Sequence, residues 1–238
     1  MSADNEEKGF DKFELLAAIL LGLGAIGAAI AAFQGGLWDG KMIESFGDAQ
    51  TTATKASTAY NEAMVTTAHD AAVDIQAKKL ILEGLDSGDG ATRDRSFEMA
   101  GYLYAFQMSE AGYKAFGFPA EDRTPEKAKE AAQAGSMDVL PDEMLVAALE
   151  KELDEDYEDV IFAEGIKQFA EADKKFSEGR NANEVGDKFD LLTVVYAISL
   201  FFAGLALVFK TRMRWNFMLF GAVVFLGGTI YLITLPWA

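Results

Sequence analysis

The sequence predicts an all-α fold: an integral membrane protein with three transmembrane helices and an extramembrane helical bundle of long helices. Three observations predict it. Residues 13–34, 190–209 and 217–237 are apolar runs, each about long enough to cross a bilayer core at roughly 1.5 Å per residue. No stretch shows the sustained alternation of a strand. The net charge of −17 is confined to one segment: Asp39–Asp187 holds 32 acids and 15 bases, and the rest of the 238 residues hold 6 of each.

Composition narrows the chemistry. There is no cysteine and one histidine, His69, so disulfides, thiolate zinc sites and multi-histidine metal sites are excluded. A strongly acidic surface is repelled by phosphates, which excludes nucleic acid as a partner. The expected partners are the lipid bilayer and either further copies of the chain or another membrane protein. No cofactor is expected.

Residues 1–12 form a short polar tail. The first span, 13–34, has one charge, Glu14, at its edge. A cleaved signal peptide is the competing reading, but the tail carries four acids to two lysines, and a signal needs a basic leader. Within the span Gly24, Ala28, Ala32 and Gly36 recur every four residues, a stripe of small side chains on which another helix can pack. The glycines of QGGLWDGK then predict a turn over Gly35–Gly40, with Trp38 at the membrane boundary.

The acidic domain, residues 38–187, opens with a helix from Met42 to about Gly84. Its positions Met42, Phe46, Ala49, Ala53, Ala56, Tyr60, Ala63 and Thr67 step by four and three, a heptad seam of mostly small side chains. The Asp- and Gly-rich stretch Leu85–Asp94 is a turn. An aromatic-rich second helix is expected over Thr92–Phe116, a short one from Thr124–Pro125 to about Ala134, and an acidic-first one after Pro141. Helix then continues, with a break near Asp154–Tyr157, to about Gly179. Ile161, Phe162, Ile166, Phe169 and Phe176 are its expected buried face.

The C-terminal hairpin sets orientation. Its loop, residues 210–216, carries Lys210, Arg212 and Arg214, with Trp215 at the boundary, and positive charge in short loops marks the cytoplasmic side. The acidic domain and the C-terminus are then outside, and Trp38 and Trp237 share the outer boundary. Glu14 falls at the inner end, at the depth of Lys210 and Arg214, where an ion pair would dock the first span on the hairpin.

The acid run Glu152–Asp159 invites a calcium reading, but an EF-hand needs glycine at the sixth loop position and Asp159 stands there. A solvated helix face is the better reading, as turn chemistry is for Asp86 and Asp89, and a satisfied surface role for His69. No nucleophile–base pair, P-loop, dinucleotide fingerprint or zinc motif is present.

The motifs AAFQGGLWDGK, NEVGDKFDLLTVVYAISLFFAG and LITLPWA resemble an uncharacterised family of bacterial three-span membrane proteins. There a W-D-G turn follows the first span, and a G-D-x-[FY]-x-L-x-x-V segment leads into a terminal hairpin. The matching residues are Trp38, Asp39, Gly40, Asn183, Gly186, Asp187, Leu192, Phe201, Phe202, Ala203 and Gly204. The resemblance implies a location in the bacterial cytoplasmic membrane and a junction between domain and membrane at these positions, but no activity. Asn183, Asp187 and Asp190 are expected there to cap the second membrane helix and bind the Gly35–Gly40 turn.

Two function classes fit. One is a non-enzymatic scaffold or accessory subunit whose outer domain mediates association. The other is a subunit of an oligomeric cation channel or transport complex with an acidic outer vestibule. No span carries a charge at its centre, and Tyr196, Ser199, Thr229 and Thr234 are the only polar residues available to line a path.

Overall fold

A computed structural model describes residues 12–124 and 139–238, with Glu126 and Lys129 between them. Among these residues there is no strand. The helices are α1 (Lys12–Asp86), α2 (Gly90–Tyr102), α3 (Glu110–Ala115), α4 (Asp142–Ala148), α5 (Glu155–Val208) and α6 (Met213–Thr234). A π-helical turn, Leu103–Gln107, follows α2, and a 3₁₀ turn covers Ala120–Arg123. Residues 1–11 of the tail lie outside the described residues, as does the short helix expected after Pro125 except for Glu126 and Lys129, which are helical. The helices α1, α5 and α6 are long and apolar enough to cross a membrane.

Two corrections concern length. The expected turn at Gly35–Gly40 is absent, and α1 continues through it. Likewise α5 runs unbroken from the acidic domain into the second apolar run, past Gly179 and Gly186. Each glycine weakens a helix by about 1 kcal/mol relative to alanine. Packing offsets that here, because several of these glycines are where the opposite helix comes closest.

The chain divides into two compact units, residues 1–50 with 173–238, and residues 51–172. In the first unit α1 and α5 run antiparallel and α6 packs on α5. From Phe13 to Gln34 the buried positions of α1 are Phe13, Ala17, Leu20, Gly24, Gly27, Ala31 and Gln34. They step by four and three, and so correct the expected four-residue stripe. Four residues overshoot a 3.6-residue turn by about 40°. Gly24 is therefore buried and Ala28 half-buried, while Ala32 and Gly36 have rotated to the outside. A Cβ on Gly24 would stand 2.7 Å from Leu200, and one on Gly27 2.7 Å from the Tyr196 ring, whereas nothing lies within 4 Å of one on Gly36. Gly221 and Gly228 of α6 meet Ser199 and Val195 of α5 at 3.1 and 3.2 Å in the same sense.

The hairpin turn is shorter than expected, Phe209–Arg212, and places Arg214 and Trp215 in the first turn of α6. The expected ion pair of Glu14 with Lys210 or Arg214 is not among the described ones. Glu14 is exposed, and its neighbour Phe13 makes the contact instead. The Phe13 ring lies edge-on to Trp215 at 5.0 Å and beneath the Arg214 guanidinium at 4.4 Å. A cation over a ring needs less desolvation than a buried ion pair.

In the second unit Val73, Ala77 and Ile81 of α1 meet Phe97, Tyr104, Met108, Tyr113, Phe116, Phe118, Leu140 and Leu145. The expected helix Thr92–Phe116 is really α2, the π turn and α3. Met108 turns extended (ψ 150°), and Ser109 caps α3 by accepting from Gly112 N. Asp89 caps α2 through Thr92. Gly117, at φ 72°, ends α3 in the left-handed region that favours glycine. On α5 the expected apolar face is also shifted. Ile166 and Phe169 are exposed, Ile161, Phe162 and Phe176 are half-buried, and the buried positions are Tyr157, Gly165, Ala172 and Gly179.

Gly165 is the sharpest test of this packing. A Cβ there would lie 3.2 Å from Tyr60 N and 3.3 Å from its Cα, so main chain rather than a movable side chain stands in the way. Gly165→Leu should destabilise the protein by about 1–3 kcal/mol or more. Gly40→Ala, with nothing within 4 Å, should be neutral or stabilising by up to about 1 kcal/mol. Thermal unfolding followed by circular dichroism in mild detergent checks both.

Candidate functional site

The second unit holds a buried carboxylate. Asp70 is 0 % exposed. It continues the α1 seam three residues beyond Thr67, and Asp74, Ala77 and Ile81 extend that seam further. Asp70 Oδ1 accepts from Ser109 N at 2.7 Å. Its Oδ2 accepts from the Tyr157 hydroxyl at 2.9 Å and from the Ser109 hydroxyl in a shorter bond. One carboxylate thus ties α1, the cap of α3 and the first turn of α5 together. Gly112 is required beside it, since a Cβ there would be 2.6 Å from Asp70 Oδ2.

A second ring of polar contacts surrounds it. Asp74 accepts from the Tyr104 hydroxyl at 2.8 Å and pairs with Lys78 at 2.9 Å. Lys78 also donates to the Lys151 carbonyl, Lys151 to the Phe116 carbonyl, and Arg123 to the Met108 carbonyl. These cations bond main-chain oxygens left over by the irregular stretches between α2 and α5. His69 Nε2 donates to the Gln107 carbonyl at 2.8 Å, at the end of the π turn. Burial pushes the Tyr104 hydroxyl up, and the bond to Asp74 adds to it. Burial likewise pushes Tyr157 up to about 12. Both tyrosines therefore donate as neutral phenols. The donors to Asp70 are all uncharged, and its bonds hold α1, the cap of α3 and the start of α5 together.

The acid run at the start of α5 has a local role: Asp154 caps the helix by accepting from Tyr157 N at 3.1 Å. Asp89 does the same for α2, and its bonds from Thr92 hold its carboxyl below the usual carboxylate range. Among the described residues no group of three or more His, Asp or Glu side chains is placed to hold a metal ion. An open groove between α1 and α2 is lined by Leu80, Met99, Tyr102 and Leu103, with Gln76, Lys79 and Glu83 at its margin.

In the first unit the expected junction residues come together, though not as caps. Gly186 packs against Asp39, Trp38 and the Gly35 carbonyl, and Gly35 packs against Asp190 and Phe189. Gly40 is exposed. Asn183 bonds Asp187 at 3.1 Å, one turn along the same helix. No helix begins there, so there is nothing to cap. The Trp38 indole donates to the Pro236 carbonyl at 3.1 Å, and Ala238 N donates to Gln34 Oε1 at 3.0 Å. Trp237 is exposed beside this anchor. Of the resembling motif's remaining residues, Leu192 and Ala203 are buried in the unit and the Phe202 ring lies tilted against Phe220, while Phe201 is exposed and Gly204 has open space around it. No family model, curated protein or solved structure matches the chain.

Removing the carboxylate should be costly. Asp70→Ala leaves the Tyr157 and Ser109 donors buried without a partner, for about 3–5 kcal/mol. Tyr157→Phe should cost about 1–2 kcal/mol. The raised Tyr157 hydroxyl makes a contribution that is fully present below the unfolded value near 10 and lost as pH rises through about 12. Urea unfolding between pH 8 and 12 should therefore show stability falling in that window, and falling less steeply in Tyr157→Phe.

Proposed function

We propose that the protein is a non-enzymatic integral membrane scaffold or accessory subunit of the bacterial cytoplasmic membrane. Its acidic helical domain, residues 38–187, lies outside the cytoplasm and mediates association with further copies or with another membrane protein. The observation that carries this reading is the direction of the polar chemistry. The buried Asp70 bonds Ser109 and Tyr157 and holds helices together, while most of the acidic groups cover the outside. The three apolar helices support the membrane location. The basic turn between α5 and α6 supports the orientation. So does the first unit's pairing of Trp38 with the C-terminal segment at one end, and of Phe13 with Arg214 and Trp215 at the other.

The channel reading loses support at its only polar candidates. The Tyr196 hydroxyl meets Thr229 at 3.2 Å, and the Ser199 hydroxyl donates to the Gly221 carbonyl at 2.8 Å, both between α5 and α6. Thr229 and Thr234 donate back to main-chain oxygens of their own helix. These groups are taken up in packing rather than presented to a path.

Two measurements test the proposal. In intact cells a cysteine at Ser87 should react with an impermeant thiol reagent and one at Thr211 should not, and the reverse pattern overturns the orientation. In mild detergent the particle mass should exceed that of one chain. A lone monomer contradicts association, and a ring with an axial opening favours the channel.

A further inference from the structure

The outward side of α1 in the second unit carries a pattern of exposed side chains, of which Ala68 and Lys79 also border grooves toward α5 and α2. Val65, Ala68, Ala72, Ile75, Lys79 and Leu82 recur at alternating steps of three and four, and all are exposed. Val65 and Ile75 are 70 % and 68 % exposed. This is the spacing of a coiled-coil seam, set on the side away from the buried Ala56, Ala63, Asp70 and Ala77. The same steps taken back from Val65 to Thr51 meet only uncharged polar residues.

Charge says what this lane can receive. Residues 51–172 hold 25 acids and 11 bases, yet the lane has no carboxylate from Thr51 to Leu82. Its one charge, Lys79, has Glu83 of the next turn at 3.6 Å. A basic partner would be drawn to the acidic faces and gain nothing from a lane without acids. A second copy is itself acidic, and can approach closely only where no carboxylates meet. The lane is its own complement, apolar against apolar at every position but Lys79, whose ammonium has Glu83 beside it.

From Val65 to Leu82 the lane is about 26 Å long, and at a helix width of ~10 Å it covers about a third of the ~800 Å² per partner of a standard interface. Such a contact is weak in free solution and is strengthened when both chains are confined to one bilayer. Confinement also sets direction: two copies inserted the same way present α1 in parallel, so each lane position meets itself.

We propose that the Val65–Leu82 lane of α1 is a self-association interface that pairs in parallel with the same lane of a second copy. This rests on the association reading above and names its partner and its face.

The absence of cysteine makes the test direct. Single variants Ile75→Cys and Leu82→Cys of the full chain are oxidised in native membranes with copper phenanthroline, beside Arg95→Cys on the outside of α2 as control. Covalent dimer is expected at Ile75 and Leu82 and not at Arg95. In mild detergent, Val65→Glu with Ile75→Glu should shift the mass from dimer to monomer at unchanged helix content. Equal cross-linking at Arg95, or a dimer that survives the double glutamate variant, overturns the lane while association stands. Cysteine variants that do not cross-link, together with a wild-type mass no greater than one chain, overturn association as well. Protection of the Ile75→Cys thiol by a different co-purifying protein overturns the second copy as occupant.

Discussion

The close approach of α1 and α5 is the constraint on which the rest of the structure depends. Small residues recur every seven positions on both helices: Ala49, Ala56, Ala63, Ala77 and Gly84 on α1, and Gly165, Ala172, Gly179 and Gly186 on α5, all buried. In each unit these positions let the opposite helix come near enough for a large side chain to lie over a glycine. Phe46 lies over Gly179 in the first unit and Tyr60 over Gly165 in the second. A seven-residue repeat does not match a 3.6-residue turn, so helices that keep it wind around each other. The glycines look like helix breakers in isolation. In the pair they are what makes the long helices possible.

One position of that repeat is not small. Asp70 stands where alanine or glycine stands elsewhere, and the chain answers it with Ser109, Gly112 and Tyr157. The break between α2 and α3 follows from this. A continuous helix over Thr92–Phe116 has its main-chain N–H groups bonded within itself, whereas the cap at Ser109 frees one to reach the carboxylate. The carbonyls left over nearby are collected by Lys78, Lys151 and Arg123. A single buried acid thus connects the seam to the most irregular part of the bundle.

The all-helical fold and the three apolar helices were legible because both follow from hydrophobic pattern alone. The seam was legible too, and extending it one step past Thr67 finds Asp70. Continuity of α1 and α5 was not legible, because a glycine's cost is local and visible in sequence, while the packing that offsets it comes from a helix more than a hundred residues away. The same holds for the four-residue stripe. Gly24 and Gly36 read alike as small residues, and only the rotation of the helix separates the buried one from the exposed one. Phe13 in place of Glu14 follows the lower desolvation cost of a ring against a cation than of a second buried charge. The polar residues of the apolar helices read as a path in sequence, whereas Tyr196, Ser199 and Thr229 bond between α5 and α6.

The register of α1 against α5 has one direct measurement. A Cβ on Gly165 would lie 3.3 Å from the Tyr60 Cβ, close to the ~3.5–4.5 Å that a disulfide needs. In this cysteine-free chain the double variant Tyr60→Cys, Gly165→Cys should close an intrachain disulfide under mild oxidation and migrate as a compact monomer on a non-reducing gel. Two free thiols that remain open to alkylation in a fully helical protein would contradict the pairing.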